Sequence, residues 1–179
     1  MKTTTEIIDQ YYKDQPELKA LLIKHSKKVA DKALSIAEKH PELNADKTFL
    51  YDAAMLHDIG IINTNANTIL CYGKEPYIKH GVLGAELLRS LNMPKHARVC
   101  ERHTGTGLKK EEIIRRNLPI PPKDYIPESI EEIIICYADK FFSKSKNDIE
   151  LDLDQVIQSI SKFGNDGVNI FLYWHSLFK

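Results

Sequence analysis

Several things are missing from this chain, and each absence narrows what it does. No apolar run approaches the roughly 18 to 20 residues that span a bilayer. The longest greasy stretch, Ile133 to Ala138, has the length of a core segment. The opening Met-Lys-Thr-Thr-Thr-Glu lacks the apolar centre of a secretory signal. Cysteine is scarce, with only Cys71, Cys100 and Cys136, and no Cys-x-x-Cys pair. These read as reduced, structural thiols, and the protein as soluble and cytoplasmic, without a membrane partner. There is no charge surplus either: 25 Lys and Arg face 25 Asp and Glu. A general nucleic-acid binder needs a basic excess to neutralise phosphates, so no nucleic-acid partner is expected. One small phosphorylated ligand, held by a few local cations, stays open. The chain also has no Gly-x-x-x-x-Gly-Lys phosphate loop, no Gly-x-Ser-x-Gly elbow and no His-Glu-x-x-His helix. Thr104-Gly105-Thr106-Gly107 follows no strand, so it reads as a flexible rim that could touch a substrate through backbone amides.

What is present is helical periodicity. Pro16 opens a long helix whose Leu18, Leu21, Leu22, His25, Val29 and Ile36 share one face, ending at His40-Pro41. Asp46 starts a second helix that stops at Gly60, and Asn63 to Thr68 is a loop or short helical turn. Further helices are expected from Pro76 to Leu91, Pro94 to about His103, Lys109 to Asn117 and Glu128 to Lys144. Two more, Asp152 to Phe163 and Asn165 to Phe178, close the chain. No β alternation or repeat is evident. The expected fold class is all-α, a single domain over 1–179, with a core of about 16–145 and C-terminal helices 152–178 packed on it. A chain this long buries roughly 70% of its unfolded surface, which suffices to enclose a polar site. Phe171, Leu172, Trp174, Leu177 and Phe178 give the last helix an apolar face that closes the core or pairs two copies, so monomer and homodimer are both open.

The chemistry-bearing residues are His25, His57, Asp58 and Asp139. Ala53-Ala54-Met55-Leu56-His57-Asp58-Ile59-Gly60 places an imidazole and a carboxylate at a helix end. There, with Gly60 free to turn left-handed, the pair could straddle one or two metal ions. Orienting another residue's ligand by a hydrogen bond, or capping the helix, is the alternative for such a dipeptide. His25 lies on an apolar stripe, where a satisfied core histidine is the commoner reading. Asp139 sits in Ile133-Ile134-Ile135-Cys136-Tyr137-Ala138-Asp139-Lys140, where a carboxylate needs a metal, strong donors or a cation such as Lys140 or Arg102. Ligands on separate helices are how helical bundles build metal sites.

The order of His25, then Leu56-His57-Asp58-Ile59-Gly60, then Asp139 in Tyr-Ala-Asp-Lys resembles the HD-domain metal-dependent phosphohydrolase superfamily, HDIG-type branch. That resemblance implies a helical HD-domain bundle with a metal site between its helices. It makes His25, His57, Asp58 and Asp139 the ligands of one metal. It also implies that His80 and His103 hold a second ion, with Asp58 as the bridge. The cofactors would be two divalent transition metal ions, Fe, Mn, Zn or Co, with iron slightly favoured. His40, His96 and His175 match nothing and read as surface residues.

The implied activity is hydrolysis of a small phosphate ester or nucleotide by metal-activated hydroxide, as a phosphomonoesterase or phosphodiesterase. Asp58 would be catalytic through the metals. Arg102, Lys28 and Lys140, with Lys144, are the cations that could position phosphate. The chain departs from HD-GYP cyclic-dinucleotide phosphodiesterases. Ile61 stands where they carry Lys, and Asn117-Leu118-Pro119-Ile120-Pro121 replaces Gly-Tyr-Pro. Two other classes share the ligand set or the fold: di-iron oxygenases such as myo-inositol oxygenase, and non-catalytic nucleotide-binding HD modules.

Overall fold

A computed structural model describes residues 2–145 and 149–179. Helices dominate, and the order along the chain follows from capping and periodicity. Helix α1 (Thr4–Tyr12) begins at a capping box, in which Thr3 and Glu6 satisfy each other's backbone amides. Sequence reasoning missed this helix. It buries Ile7, Ile8 and Tyr12, and the Tyr12 hydroxyl donates to the Ile59 carbonyl at 2.8 Å. Helix α2 (Pro16–Lys39) starts with proline in its first turn and buries Leu18, Leu22, His25, Val29, Ala33 and Ile36 on one stripe. Asp46 caps α3 (Lys47–Leu56) by accepting from the Phe49 amide.

Helix α3 ends earlier than its sequence pattern suggests. His57 is its C-cap, Asp58 leaves helical geometry, and Ile59–Asn63 forms a tight 3-10 turn. Gly60 does not take a left-handed conformation there. Its role is close approach: a Cβ would lie 2.1 Å from the His80 carbonyl oxygen and 2.3 Å from the Gly84 amide nitrogen. The segment read as loop or helical turn instead begins a three-stranded sheet of order β2-β1-β3. Strand β1 (Thr64–Ala66) pairs antiparallel with β2 (Cys71–Tyr72) and parallel with β3 (Glu75–Pro76). Strands of two or three residues leave no alternation to read.

Helices α4 (His80–Ser90) and α5 (Pro94–Arg102) follow, then the short α6 (Lys110–Arg115). Helix α7 (Ile130–Asp139) carries a Ser129–Glu132 capping box and ends five residues short of Lys144. Its end tightens because the amides of Lys140, Phe141 and Phe142 bond the carbonyls three residues back. Helices α8 (Leu153–Ser161) and α9 (Asn165–Phe178) complete the order. Val156, Ile160, Phe171, Trp174 and Phe178 join the same apolar cluster as α2, α3, α5 and α7. Leu172 and Leu177 of α9 remain exposed, so only one side of that helix closes the core. All three cysteines are buried and free. Among the described residues, no helix is long and apolar enough to cross a membrane.

Candidate metal centre

Six side chains from five helices and the turn after α3 converge in the interior: His25, His57, Asp58, His80, His103 and Asp139. All are at most 8% exposed. Five of the six sit at a helix end or just past it. His57 and His103 are C-caps, Asp58 follows α3, His80 opens α4 and Asp139 is the last residue of α7. His25 alone comes from mid-helix.

The donor atoms form two sets that share Asp58. In the first, His25 Nε2 lies 3.2 Å from Asp58 Oδ2 and 3.0 Å from Asp139 Oδ1. His57 Nε2 lies 3.0 Å and 3.4 Å from the same two oxygens. In the second, Asp58 Oδ1 is 3.5 Å from His80 Nε2 and 3.4 Å from His103 Nε2. Each set is tight enough to surround one ion, with its donor atoms all within 4.8 Å of one another.

Backbone carbonyls fix the tautomers. The Nδ1 atoms of His57, His80 and His103 lie 2.6–2.7 Å from the carbonyls of Ala54, Tyr77 and Cys100, three residues back in each case. A carbonyl only accepts, so each Nδ1 is the protonated donor, and in the neutral ring Nε2 carries the lone pair. The Nε2 atoms of His80 and His103 then face each other at 3.0 Å. Two lone pairs at that distance repel unless a positive centre lies between them. His57 Nε2 and both oxygens of Asp58 are also buried without a hydrogen bond. This donor set of imidazole nitrogens and carboxylate oxygens fits a pair of divalent transition metals.

The electrostatics divide the histidines. Burial pulls the His57 imidazole down, but the Asp58 and Asp139 carboxylates outweigh it and raise it to about 9. Burial, then His103 and the Lys144 ammonium, drives His80 down to about 3. Burial opposes ionisation of Asp58, yet Lys144 and His57 hold it well below the ordinary carboxylate range. Asp139 is held down likewise, by Lys140 and Lys144 against burial.

The candidate cations divide. Lys144 Nζ lies 2.5 Å from Asp58 Oδ2, deep in the cluster. Lys140 Nζ bonds Asp139 Oδ2 at 2.8 Å and the His103 carbonyl at 3.2 Å. Lys28 lines a cleft of about 380 Å³ with Lys24, His25 and Lys144. A second cleft of about 380 Å³ brings Tyr77, Lys140 and Lys144 to Asp139. Arg102 has other company. Its guanidinium bonds the Ile126 carbonyl at 2.7 Å and Glu128 at 2.8 Å, on a Glu128–Glu132 cluster rather than on Asp139. Sequence reasoning missed Tyr77, whose ring stacks on His80 with centroids 4.6 Å apart. Its place three residues before a histidine was the available signal. His40, His96 and His175 are all half-buried rather than fully exposed, with His40 beside Glu42, His96 against Phe49 and His175 bonded to Tyr137.

The HD domain family matches residues 22–143. The chain belongs to the HD-domain family. A tRNA (cytidine(56)-2'-O)-methyltransferase of Thermoplasma volcanium is 35% identical over 144 residues, 80% of this chain and 37% of that protein. The enzyme of the same name from Picrophilus torridus is 36% identical over 127 residues, covering 70% and 33%. An uncharacterised protein of Methanocaldococcus jannaschii is 35% identical over 144 residues, covering 79% and 76%. This HD domain therefore spans about a third of the methyltransferases' length. Among solved structures, the HD domain of the L. monocytogenes phosphodiesterase PgpH superposes with a TM-score of 0.54 at 18% identity, covering 96% of this chain and 95% of that one. The same domain in complex with cyclic-di-AMP gives a TM-score of 0.55, with 96% and 94% covered. At this identity the likeness concerns the fold.

Proposed function

We propose that this HD domain is a metal-dependent phosphohydrolase acting on a small phosphate ester or nucleotide. Two divalent transition ions, iron, manganese, zinc or cobalt, would be held by His25, His57, Asp58 and Asp139 on one side and by Asp58, His80 and His103 on the other. The observation that carries this reading is the sharing of Asp58: its two oxygens serve two donor sets, and the second set has nitrogen lone pairs face to face. Such an ion pair, when bound, polarises a phosphoryl oxygen and activates water near neutral pH.

The chain's own residues supply the rest. The carbonyls of Ala54, Tyr77 and Cys100 orient three imidazoles before any ligand arrives, so little reorganisation is required. Lys140 holds Asp139 in place, and Lys144 reaches the cluster from outside α7 to offset phosphate charge. Lys28 extends that positive face along the cleft beside His25. The PgpH HD domain's complex with cyclic-di-AMP supports a nucleotide as the substrate class. Methyl transfer is not assigned to this chain, which matches about a third of each methyltransferase.

The deciding experiment measures metal identity and stoichiometry by plasma mass spectrometry on protein purified without a chelating column, followed by phosphatase assays. About two transition metals per chain with release of phosphate from a nucleotide or simple ester is the expected result. Mostly iron, oxygen uptake and no hydrolysis would replace this reading with a di-iron oxygenase. No metal after reconstitution would make the domain a nucleotide-binding module.

A further inference from the structure

A third cavity, of about 510 Å³, lies beyond Lys140 between residues 104–109, α6 and the turn joining α8 to α9. We propose that this cavity seats the nucleoside of the substrate, the leaving group, while its phosphate lies at the histidine–aspartate cluster. This inference rests on the phosphohydrolase reading and adds the place where specificity is set.

Position supports it first. The cavity shares Lys140 and Ser159 with the cleft that contains Asp139. Lys140 lines both spaces, and its ammonium rests on Asp139 Oδ2 and the His103 carbonyl. A molecule with a phosphate at the cluster would thus extend past Lys140 into this space.

Backbone conformation supports it next. The three glycines with positive φ, Gly105 at 62°, Gly107 at 98° and Gly164 at 115°, all line this cavity. Gly105 and Gly164 face open space, with nothing within 4 Å of where a Cβ would lie. Gly107 instead packs closely on Tyr125, Ile126 and Pro127, so the bare backbone at this rim, directly after His103, is that of Gly105. Glycine here removes side chains where a ligand would pass.

The lining fits a flat ligand with apolar faces and polar edges. Ile78, Ile126, Ile160 and Ile170 make apolar walls, while Thr104, Asn165 and Asp166 offer polar groups. Phe163 lines it too, 65% exposed, with the Arg116 guanidinium 5.4 Å from its ring centre. An exposed ring is poorly placed for core packing and well placed for stacking on a base.

The test uses the full chain with the four unphosphorylated ribonucleosides as probes, read by saturation-transfer NMR and calorimetry without added metal, so that it does not depend on turnover. At least one nucleoside should bind. Phe163→Ala should weaken it about tenfold, the worth of one stacked base, and Ile170→Trp, which fills the cavity, should weaken it at least as much. With metal, the same variants should lower kcat/KM for the matching nucleoside 5'-phosphate by a similar factor and leave methyl phosphate within about twofold. Phe163 is on the surface, so that variant keeps the test valid if Ile170→Trp does not fold. No nucleoside binding at millimolar concentration, or binding unchanged in Phe163→Ala and in folded Ile170→Trp, would overturn the assignment. Nucleoside binding that is lost in the variants, with no ester hydrolysed by the metal-loaded chain, would uphold the cavity and sink the phosphohydrolase reading.

Discussion

Helix α7 carries two buried carboxylates, and their surroundings differ in kind. Glu132, near its start, is 4% exposed and fully engaged. One oxygen accepts from Arg98 Nε at 2.7 Å, and the other accepts from the Glu128 amide at 2.7 Å and closes the capping box. Arg98 and Arg102 also pair with Glu128, so positive and negative charge balance inside that cluster. Asp139, at the helix's end, is 8% exposed and joins a group with donor atoms to spare: the facing Nε2 lone pairs of His80 and His103, and Asp58, whose two oxygens have charged neighbours but no hydrogen bond. Burial and charge alone do not separate a structural cluster from a site. Unsatisfied electron pairs converging on a shared point do, because a folded chain keeps such a cost only where something else is to be bound.

The sharpest way to break this contrast is Asp58→Ala, which removes the one residue common to both donor sets. Metal content should fall from about two ions per chain to none, with activity down at least about 10³-fold and helicity retained. Full metal content in that variant would refute the shared-ligand assignment. Next in size is the paired change His80→Ala and His103→Ala. One ion should remain and activity should drop about 10²-fold; unchanged turnover would mean that a single ion suffices.

Glu132→Ala probes the other cluster and should show the opposite pattern. It strips Arg98 of its buried partner and opens the capping box at α7. The expected cost is about 2–3 kcal/mol, toward the low side for a broken buried pair because Arg98 is partly exposed. That corresponds to a Tm lower by about 4–10 °C in calorimetry, with metal content unchanged. Loss of metal without loss of stability would mean that the two ends of α7 are one functional unit.

The sequence made some of this legible, for physical reasons. The long stripe of α2 and the density of apolar residues in α7 are periodic signals that tertiary packing only reinforces. His25, the His57-Asp58 pair and Asp139 stood out because a polar group amid hydrocarbon demands a partner. Helix α1 escaped notice because a short, Thr-rich helix buries only Ile7, Ile8 and Tyr12, although Thr3 and Glu6 already spelled a capping box. The three-stranded sheet was illegible because its pairing is non-local and each strand is two or three residues long. The ends of helices α3 and α7 were overrun for the same reason as each other. The patterns around His57 and Asp139 continue apolar after the backbone has turned, and that turning presents the site.

The early end of α7 matters for Lys144. Had the helix continued, Lys144 would stand one turn above Lys140 on the same face. Instead the tightened backbone lets it return to Asp58. Lys144→Ala should raise KM for a phosphate ester about tenfold, the value of one charge-assisted hydrogen bond, with kcat less affected. An unchanged KM would leave phosphate binding to Lys28 and Lys140.

The smallest expected effect is the most discriminating for sequence-based reasoning, which groups Arg102 with the phosphate-binding cations because it precedes His103. Its guanidinium instead ties the Ile126 carbonyl to Glu128 and Glu132. Arg102→Ala should therefore act on stability, by about 1–2 kcal/mol for a buried carbonyl left unpaired. KM for a phosphate ester should stay within about twofold. Comparing a charged with a neutral ester separates the two roles. A guanidinium that meets phosphate would raise KM for the charged ester selectively, whereas one that braces the Ile126 carbonyl moves both esters equally or not at all. A selective rise of fivefold or more would return Arg102 to the site and dissolve the contrast between the two ends of α7.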